Sequence, residues 1–189
     1  MIEPAKVAAI LLAAGRSERF GDEDKLLVAL DGVPLALHAA RRLTEIVVGW
    51  RFAVCGAGSP LIEGLSALGF ETKINPDPAR GLSSSLALGI EQARLANAEA
   101  ALVVLGDMPF VSSAHLSTLI ARFDTENSPL VASSRDGIRM PPAMFGKGFF
   151  ARLEAAKGDK GGRALFSDAT LVSADSAELR DIDHPEDIG

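Results

Sequence analysis

VAAILLAAGRSERFGDEDK, Val7 to Lys25, holds the reading on which the fold turns. The run Val7–Ala14 is apolar throughout and stops at Gly15; Arg16, Arg19 and Lys25 follow, with Gly21 marking a second turn. A short, continuous apolar run bounded by turn residues is the pattern of a strand buried on both faces, here Val7–Ala13. Similar strand-like runs recur at Arg51–Gly56, Phe70–Ile74, Ala100–Leu105 and Leu130–Ser133. Between them lie segments with helical spacing. Pro34–Ile46 has proline near its start and apolar positions at Leu35, Leu37, Ala40 and Leu43. Pro60–Leu68 is closed by Gly69; Ser84–Asn97 and His115–Phe123 complete the set. Buried strands alternating with helices predict an α/β fold, a three-layer sandwich with a mostly parallel twisted sheet covered on both faces. Beyond about Gly137 the pattern loosens, with short strands at Ala143–Phe145 and Thr170–Val172 and helices near Phe149–Ala156 and Gly162–Ser167. With no internal repeat and no low-complexity linker, residues 1–189 read as a single domain, its last part an irregular lobe.

Composition narrows the function. The chain of 189 residues is 48% apolar and carries a formal charge of −6. That length supports a substantial core, and the acidic balance argues against a general nucleic-acid binder. Tyrosine is absent, which argues against base-stacking platforms. The lone Cys55 can form neither an internal disulfide nor a cysteine-based zinc site, in keeping with a reducing cytoplasm. Met1–Lys6 lacks the basic start of a leader, and no apolar run reaches the roughly 18 to 20 residues that span a bilayer. A cytoplasmic protein is expected.

In open α/β sheets ligands bind beyond the carboxyl ends of the strands. That rule gathers three loops on one rim, residues 14–25, 75–85 and 106–111. In the first, Gly15 permits close backbone approach, and Arg16, Arg19 and Lys25 can neutralise phosphate oxygens. The bland alternative is a strand–turn with solvated charges. In the third, VVLGDMPFV (Val103–Val111) delivers Gly106 and Asp107 from a buried strand before Pro109 stops the chain. A carboxylate there suits Mg²⁺, which takes one or two carboxylates together with phosphate oxygens and water; the alternative is a turn or cap aspartate. The two loops together favour a nucleoside triphosphate site.

Common phosphate motifs do not account for the first loop. Gly15 and Gly21 are misplaced for G-x-x-x-x-G-K-[ST], and Asp22 follows the second glycine. Gly56-Ala57-Gly58 begins a dinucleotide fingerprint, but Leu61 stands where its third glycine belongs. Cys55–Pro60 reads as an ordinary strand-to-helix turn, with contact to a base as the alternative.

The motifs LAAGRSERFG, DKLL, Asp31-Gly32-Val33-Pro34-Leu35 and Gly106-Asp107-Met108-Pro109 resemble the MobA-like nucleotidyltransferases. These include the molybdenum-cofactor guanylyl- and cytidylyltransferases. The resemblance extends through Arg80-Gly81-Leu82-Ser83-Ser84-Ser85-Leu86 to a terminal D-I-D-x-P-E-D at Asp181–Asp187. It implies the Rossmann-like fold of nucleotide-diphospho-sugar transferases. By matching position, Leu12, Ala13, Ala14 and Gly15 would contact nucleotide, Arg19 and Lys25 would hold the triphosphate, and Asp107 would bind Mg²⁺. Ser84 would line the base or acceptor pocket. Asp183 would supply a second metal contact, with an exposed acidic tail as the alternative.

The reaction implied is in-line attack of an acceptor phosphate on the α-phosphorus of a nucleoside triphosphate, with loss of pyrophosphate. Guanylyl members tend to carry Ala-Gly-Gly where this chain has Ala13-Ala14-Gly15; the added methyl favours a pyrimidine, hence CTP. The implied acceptor is a molybdopterin-type phosphate, with a recipient molybdoenzyme or chaperone downstream. Against this, the histidine of the cytidylyl group's Gly-His-Pro is replaced by Pro141. Transfer to a sugar phosphate or methylerythritol phosphate, or a non-catalytic nucleotide-binding regulator, remain the alternatives.

Overall fold

A computed structural model describes residues 2–15, 24–158 and 163–188. Strand β1 (Val7–Ala13) lies inside a seven-stranded sheet. A small hairpin follows, β2 (Ala29–Leu30) with β3 (Val33–Pro34), leading into helix α1 (Leu35–Thr44). Next come β4 (Trp50–Gly56), α2 (Leu61–Ala67), β5 (Glu71–Asn75), α3 (Leu82–Leu95) and β6 (Ala100–Leu105). The chain continues through α4 (Ser113–Arg122), β7 (Leu130–Arg135), β8 (Ile138–Gly146), α5 (Phe150–Glu154) and β9 (Thr170–Ser173). The strand order is β5-β4-β1-β6-β8-β7-β9. β1 pairs in parallel with both β4 and β6, β4 with β5, and β7 with β9; β8 is antiparallel to both of its neighbours. The expected mostly parallel α/β sheet is therefore present.

The alternation of β1 explains why both faces need cover. Val7, Ala9, Leu11 and Ala13 enter one core with Ala36, Ala39, Ala40 and Leu43 of α1 and Leu116 and Leu119 of α4. Ala8, Ile10, Leu12 and Ala14 enter the other with Leu86, Ile90 and Ala93 of α3 and Leu153 of α5. Ile10 and Leu11 are wholly buried, each such side chain stabilising the fold by about 1.5–3 kcal/mol. Small residues on β1 let the helices approach. At Gly89 of α3 a Cβ would stand 2.5 Å from Ile10 Cγ2, so only glycine fits at that approach.

The region after Gly137 is not irregular throughout: β8 lies inside the sheet, between β6 and β7, and β9 forms its edge. The turn into β8 is Asp136 (φ 51°) and Gly137 (φ 78°), both left-handed, as a two-residue type I′ hairpin requires. Two prolines in a central strand read as an obstacle, since proline donates no ladder hydrogen bond. The sheet accommodates them by a register shift. Ser133 pairs with Met140 and Ala132 with Ala143, so Pro141 and Pro142 fall in the irregularity. Pairing with β6 begins only at Ala143. The Ser133 hydroxyl donates to the Pro142 carbonyl at 2.7 Å and fixes the distortion.

Candidate active site

The chain moves outward from β1 to β4 and β5, then crosses back to place β6 on the other side of β1. The crevice at the ends of β1 and β6 is thus the switch point where an α/β sheet opens to ligands. The strands are in register to Leu12 and Leu105, and the Gly106 amide donates to the Leu12 carbonyl at 2.9 Å. Ala14 and Asp107 lie two residues beyond that pair. Gly106 is needed for closeness: a Cβ there would meet Leu12 O at 3.2 Å, and Ala36 Cβ and Leu26 Cδ2 at 3.4 Å. The turn then drops Met108 into a buried cluster with Met140 and Leu179, which leaves Asp107 at the rim.

Lys25 opens a short 3₁₀ turn whose start is capped by Asp24, the carboxylate accepting from the Leu26 amide at 3.1 Å. Leu26 is buried and anchors the turn. From it Lys25 Nζ donates to Asp107 Oδ2 at 2.8 Å, to Asp183 Oδ1 at 3.1 Å and to the Ile182 carbonyl at 3.1 Å. The side chains of Lys25 and Asp107 are 11% and 19% exposed, whereas Asp183 is 41% exposed. Burial disfavours the Lys25 ammonium, but Asp107 and Asp183 outweigh it and hold its pKa above the ordinary lysine value. Burial pushes the Asp107 carboxyl upward; Lys25 opposes this, and Asp181 and Asp183 add to it. Asp107 Oδ1 is buried without a hydrogen-bond partner among the described residues. An unsatisfied buried carboxylate oxygen is costly to the fold, and its chemistry is that of a donor open to a cation.

The C-terminal segment supplies the third side of the cluster. The Ile182 amide donates to the Asp107 carbonyl at 2.9 Å, and Ile182 is fully buried against Leu35. Asp187 Oδ2 accepts from the amides of Asp183 and His184 at 3.0 and 2.8 Å, which shapes the turn carrying Asp183. Upstream, Leu179 is buried and Glu178 accepts from the Ser112 amide and hydroxyl at the start of α4. Asp183 is thus partly exposed and carried on a hydrogen-bonded turn beside the end of β6.

The structure brings together Lys25, Asp107 and Asp183 of the residues singled out from the sequence. Leu12, Ala13 and Ala14 are buried at the end of β1, with Gly15 in open space beyond them. Arg16 and Arg19 lie outside the described residues. Ser84 stands on the same rim, in the first turn of α3. Its hydroxyl lies 2.8 Å from the Gly81 carbonyl and accepts from Asn75 Nδ2 at 2.8 Å. Asn75 was not singled out by the sequence reading. It is 3% exposed, also donates to Ser85 Oγ at 2.9 Å, and accepts from the Asp77 amide, so it fixes the 77–85 loop. An asparagine ending a strand was its only signal. Ile182 was likewise missed, because it contributes through its backbone. Cys55 is buried, with its thiol pushed up to about 11 by burial, and is no nucleophile. Among the described residues no helix is long and apolar enough to cross a membrane.

Two carboxylates beside a lysine at the ends of parallel strands can hold a cation and the phosphates it accompanies. The family model of the MobA-like NTP transferase domain matches residues 9–175. The chain is 29% identical over 192 residues to the purine catabolism protein PucB of Bacillus subtilis, spanning 94% of this chain and 92% of that one. It is 34% identical over 122 residues to a probable molybdenum cofactor guanylyltransferase of Pyrococcus horikoshii, spanning 63% of this chain and 57% of that one. A solved nucleotidyl transferase from Methanothermobacter superposes with a TM-score of 0.80 at 24% identity, covering 96% and 93% of the two chains.

Proposed function

The chain belongs to the MobA-like NTP transferase family and is a nucleotidyltransferase of that kind, and on that premise we propose that it transfers CMP from CTP to a molybdopterin-type phosphate. The observation that carries the site assignment is the Lys25 ammonium set between Asp107 and Asp183 beside the end of β1. The working unit we propose is the whole chain, residues 1–189, acting as one domain in the cytoplasm.

In this reading Leu12, Ala13, Ala14 and Gly15 seat the nucleotide, and Arg16, Arg19 and Lys25 hold its triphosphate. Asp107 and Asp183 hold Mg²⁺. The donor set fits that ion: hard carboxylate oxygens, one of them buried and unpartnered in Asp107. When bound, Mg²⁺ would supply positive charge against the phosphate oxygens. Ser84, held by Asn75, borders the base or acceptor. A phosphate oxygen of the acceptor forms a new bond to the α-phosphorus as the bond from that phosphorus to the bridging oxygen of pyrophosphate breaks. The electron pair leaves with pyrophosphate. No protein nucleophile takes part, and the work of the chain is to bring anions together and align them.

The preference for CTP rests on Ala14, whose side chain packs in the same core as Leu86 at the start of α3. A second reading, GTP as donor, is favoured by the guanylyltransferase activity in the name of the Pyrococcus horikoshii relative. A thermal-shift panel of the four nucleoside triphosphates, with and without Mg²⁺, separates the two. A ligand at a hundred times its Kd stabilises the native state by about 2.7 kcal/mol. The largest shift is expected with CTP and Mg²⁺ together. A larger shift with GTP would transfer the assignment to the second reading, and no shift with any nucleotide would refute both.

A further inference from the structure

Lys25 serves two masters in this cluster. The proposed function gives it the triphosphate, yet its ammonium lies on Asp107 Oδ2, Asp183 Oδ1 and the Ile182 carbonyl. Those two carboxylates are the ones assigned to the metal. We propose that Lys25 is a resident counter-ion that keeps the two carboxylates from a free divalent cation until the triphosphate draws the ammonium away, so that metal and nucleotide bind together.

The inference rests on the metal reading given above for Asp107 and Asp183. Several observations carry it beyond that reading. The contacts span the chain: Lys25 comes from the loop after β1, Asp107 from the end of β6, and Asp183 from the C-terminal segment. One ammonium therefore bridges three segments that are far apart in the sequence. Asp183 is the more exposed of the two carboxylates, and the turn carrying it is shaped by Asp187, so its orientation survives departure of the lysine. Ile182 stays bonded to the Asp107 carbonyl through its amide, which does not involve Lys25.

The electrostatics give the direction. With the ammonium present, an entering divalent cation meets a like charge and a claimed ligand in Asp183. With the ammonium gone, Asp107, Asp183 and nearby Asp181 repel one another, and a divalent cation relieves that repulsion. Triphosphate offers Lys25 a replacement set of anionic oxygens and offers the metal additional ligands. Nucleotide and metal affinities are then coupled, and the coupling is reciprocal.

The test is Mn²⁺ binding to the nucleotide-free protein, followed by electron paramagnetic resonance of the free ion. Wild type is compared with Lys25→Gln, Lys25→Arg, Asp107→Asn and the double variant Lys25→Gln/Asp107→Asn. Circular dichroism of each verifies that it is folded. Lys25→Gln is expected to bind Mn²⁺ at least tenfold more tightly than wild type, although it binds CTP more weakly. Lys25→Arg keeps the positive charge and should stay as weak as wild type. The gain should vanish in the double variant. If Lys25→Gln binds no more tightly than wild type while Asp107→Asn abolishes binding, the counter-ion proposal is overturned and the metal site stands. If Asp107→Asn changes nothing in either background, the metal reading itself is wrong, and the proposal goes with it.

Discussion

The amide of Ile182 donates to the carbonyl of Asp107 at 2.9 Å, so two segments 75 residues apart in the chain share one turn. Lys25 closes the same junction by donating to the Ile182 carbonyl and to both neighbouring aspartates. Placement of charge at the end of β6 therefore depends on residues from the first and last parts of the sequence.

Asp107→Asn tests the division between function and fold. Burial already disfavours the charged carboxylate, and Lys25 keeps Asp183 as a partner in the variant. Removing the charge therefore leaves no lysine stranded. The melting temperature is expected to hold or rise slightly, while turnover falls at least a hundredfold. A structural aspartate gives the opposite pattern, a lower melting temperature with normal turnover in the protein that survives. Both quantities are to be read on one preparation.

Lys25→Ala should weaken triphosphate affinity or turnover by at least tenfold, equivalent to about 1.4 kcal/mol. Titration calorimetry with CTP and Mg²⁺, alongside steady-state rates, measures it. Unchanged affinity and rate would move the phosphate site away from this loop.

Ala14→Gly removes the methyl proposed to narrow the space beside the base. The ratio of GTP to CTP affinity should rise in the variant. Competition between the two nucleotides reads that ratio directly, and an unaltered ratio would detach base preference from Ala14.

Gly89→Ala sets two known effects against each other. Alanine gains about 1 kcal/mol over glycine in a helix interior. Its Cβ, however, would stand 2.5 Å from the Cγ2 of buried Ile10, and overpacking of this kind costs about 1–3 kcal/mol. The clash wins where the neighbouring methyl belongs to a fully buried side chain in the central strand. The melting temperature is expected to fall by several degrees, and a rise would show that α3 can move off β1.

His115 gives an acid-side signature. Burial holds its pKa below the ordinary 6.5, with Glu178 acting in the other direction. The unfolded chain takes up this proton near pH 6.5 and the folded chain only at lower pH. The neutral form's contribution is fully present above pH 6.5 and is lost as pH falls through and below that value. Urea melts at pH 7.5 and 5.5 should show a larger acid-side loss in wild type than in His115→Gln. That variant keeps an amide able to reach Ser133, which lies 2.8 Å from the imidazole Nε2.

Much of this architecture was legible in the sequence because burial on both faces leaves a continuous apolar run. Val7–Ala13 and Ala100–Leu105 are strands over the residues that pattern predicts. The antiparallel β8 was legible only in part, as the short strand Ala143–Phe145 inside Ile138–Gly146. Its prolines oppose a central strand, and only the register shift at Ser133 resolves the conflict. The pair Asp136-Gly137, which turns the chain into this strand, went unread in the sequence. In the site, Lys25 and Asp107 announced themselves by following buried strands. The part played by Ile182 could not be read, since a backbone carbonyl and amide leave no mark on residue identity. Asn75 escaped because its work is to hold a loop from beneath.

The most direct test of the account is pyrophosphate release from CTP and Mg²⁺ in the presence of molybdopterin, with wild type and Asp107→Asn compared at equal folded concentration. Wild type should release one pyrophosphate for each CMP joined to the acceptor's phosphate, and the variant should release almost none. Equal release by the two proteins, or none by wild type with this acceptor and any of the four nucleoside triphosphates, would contradict it.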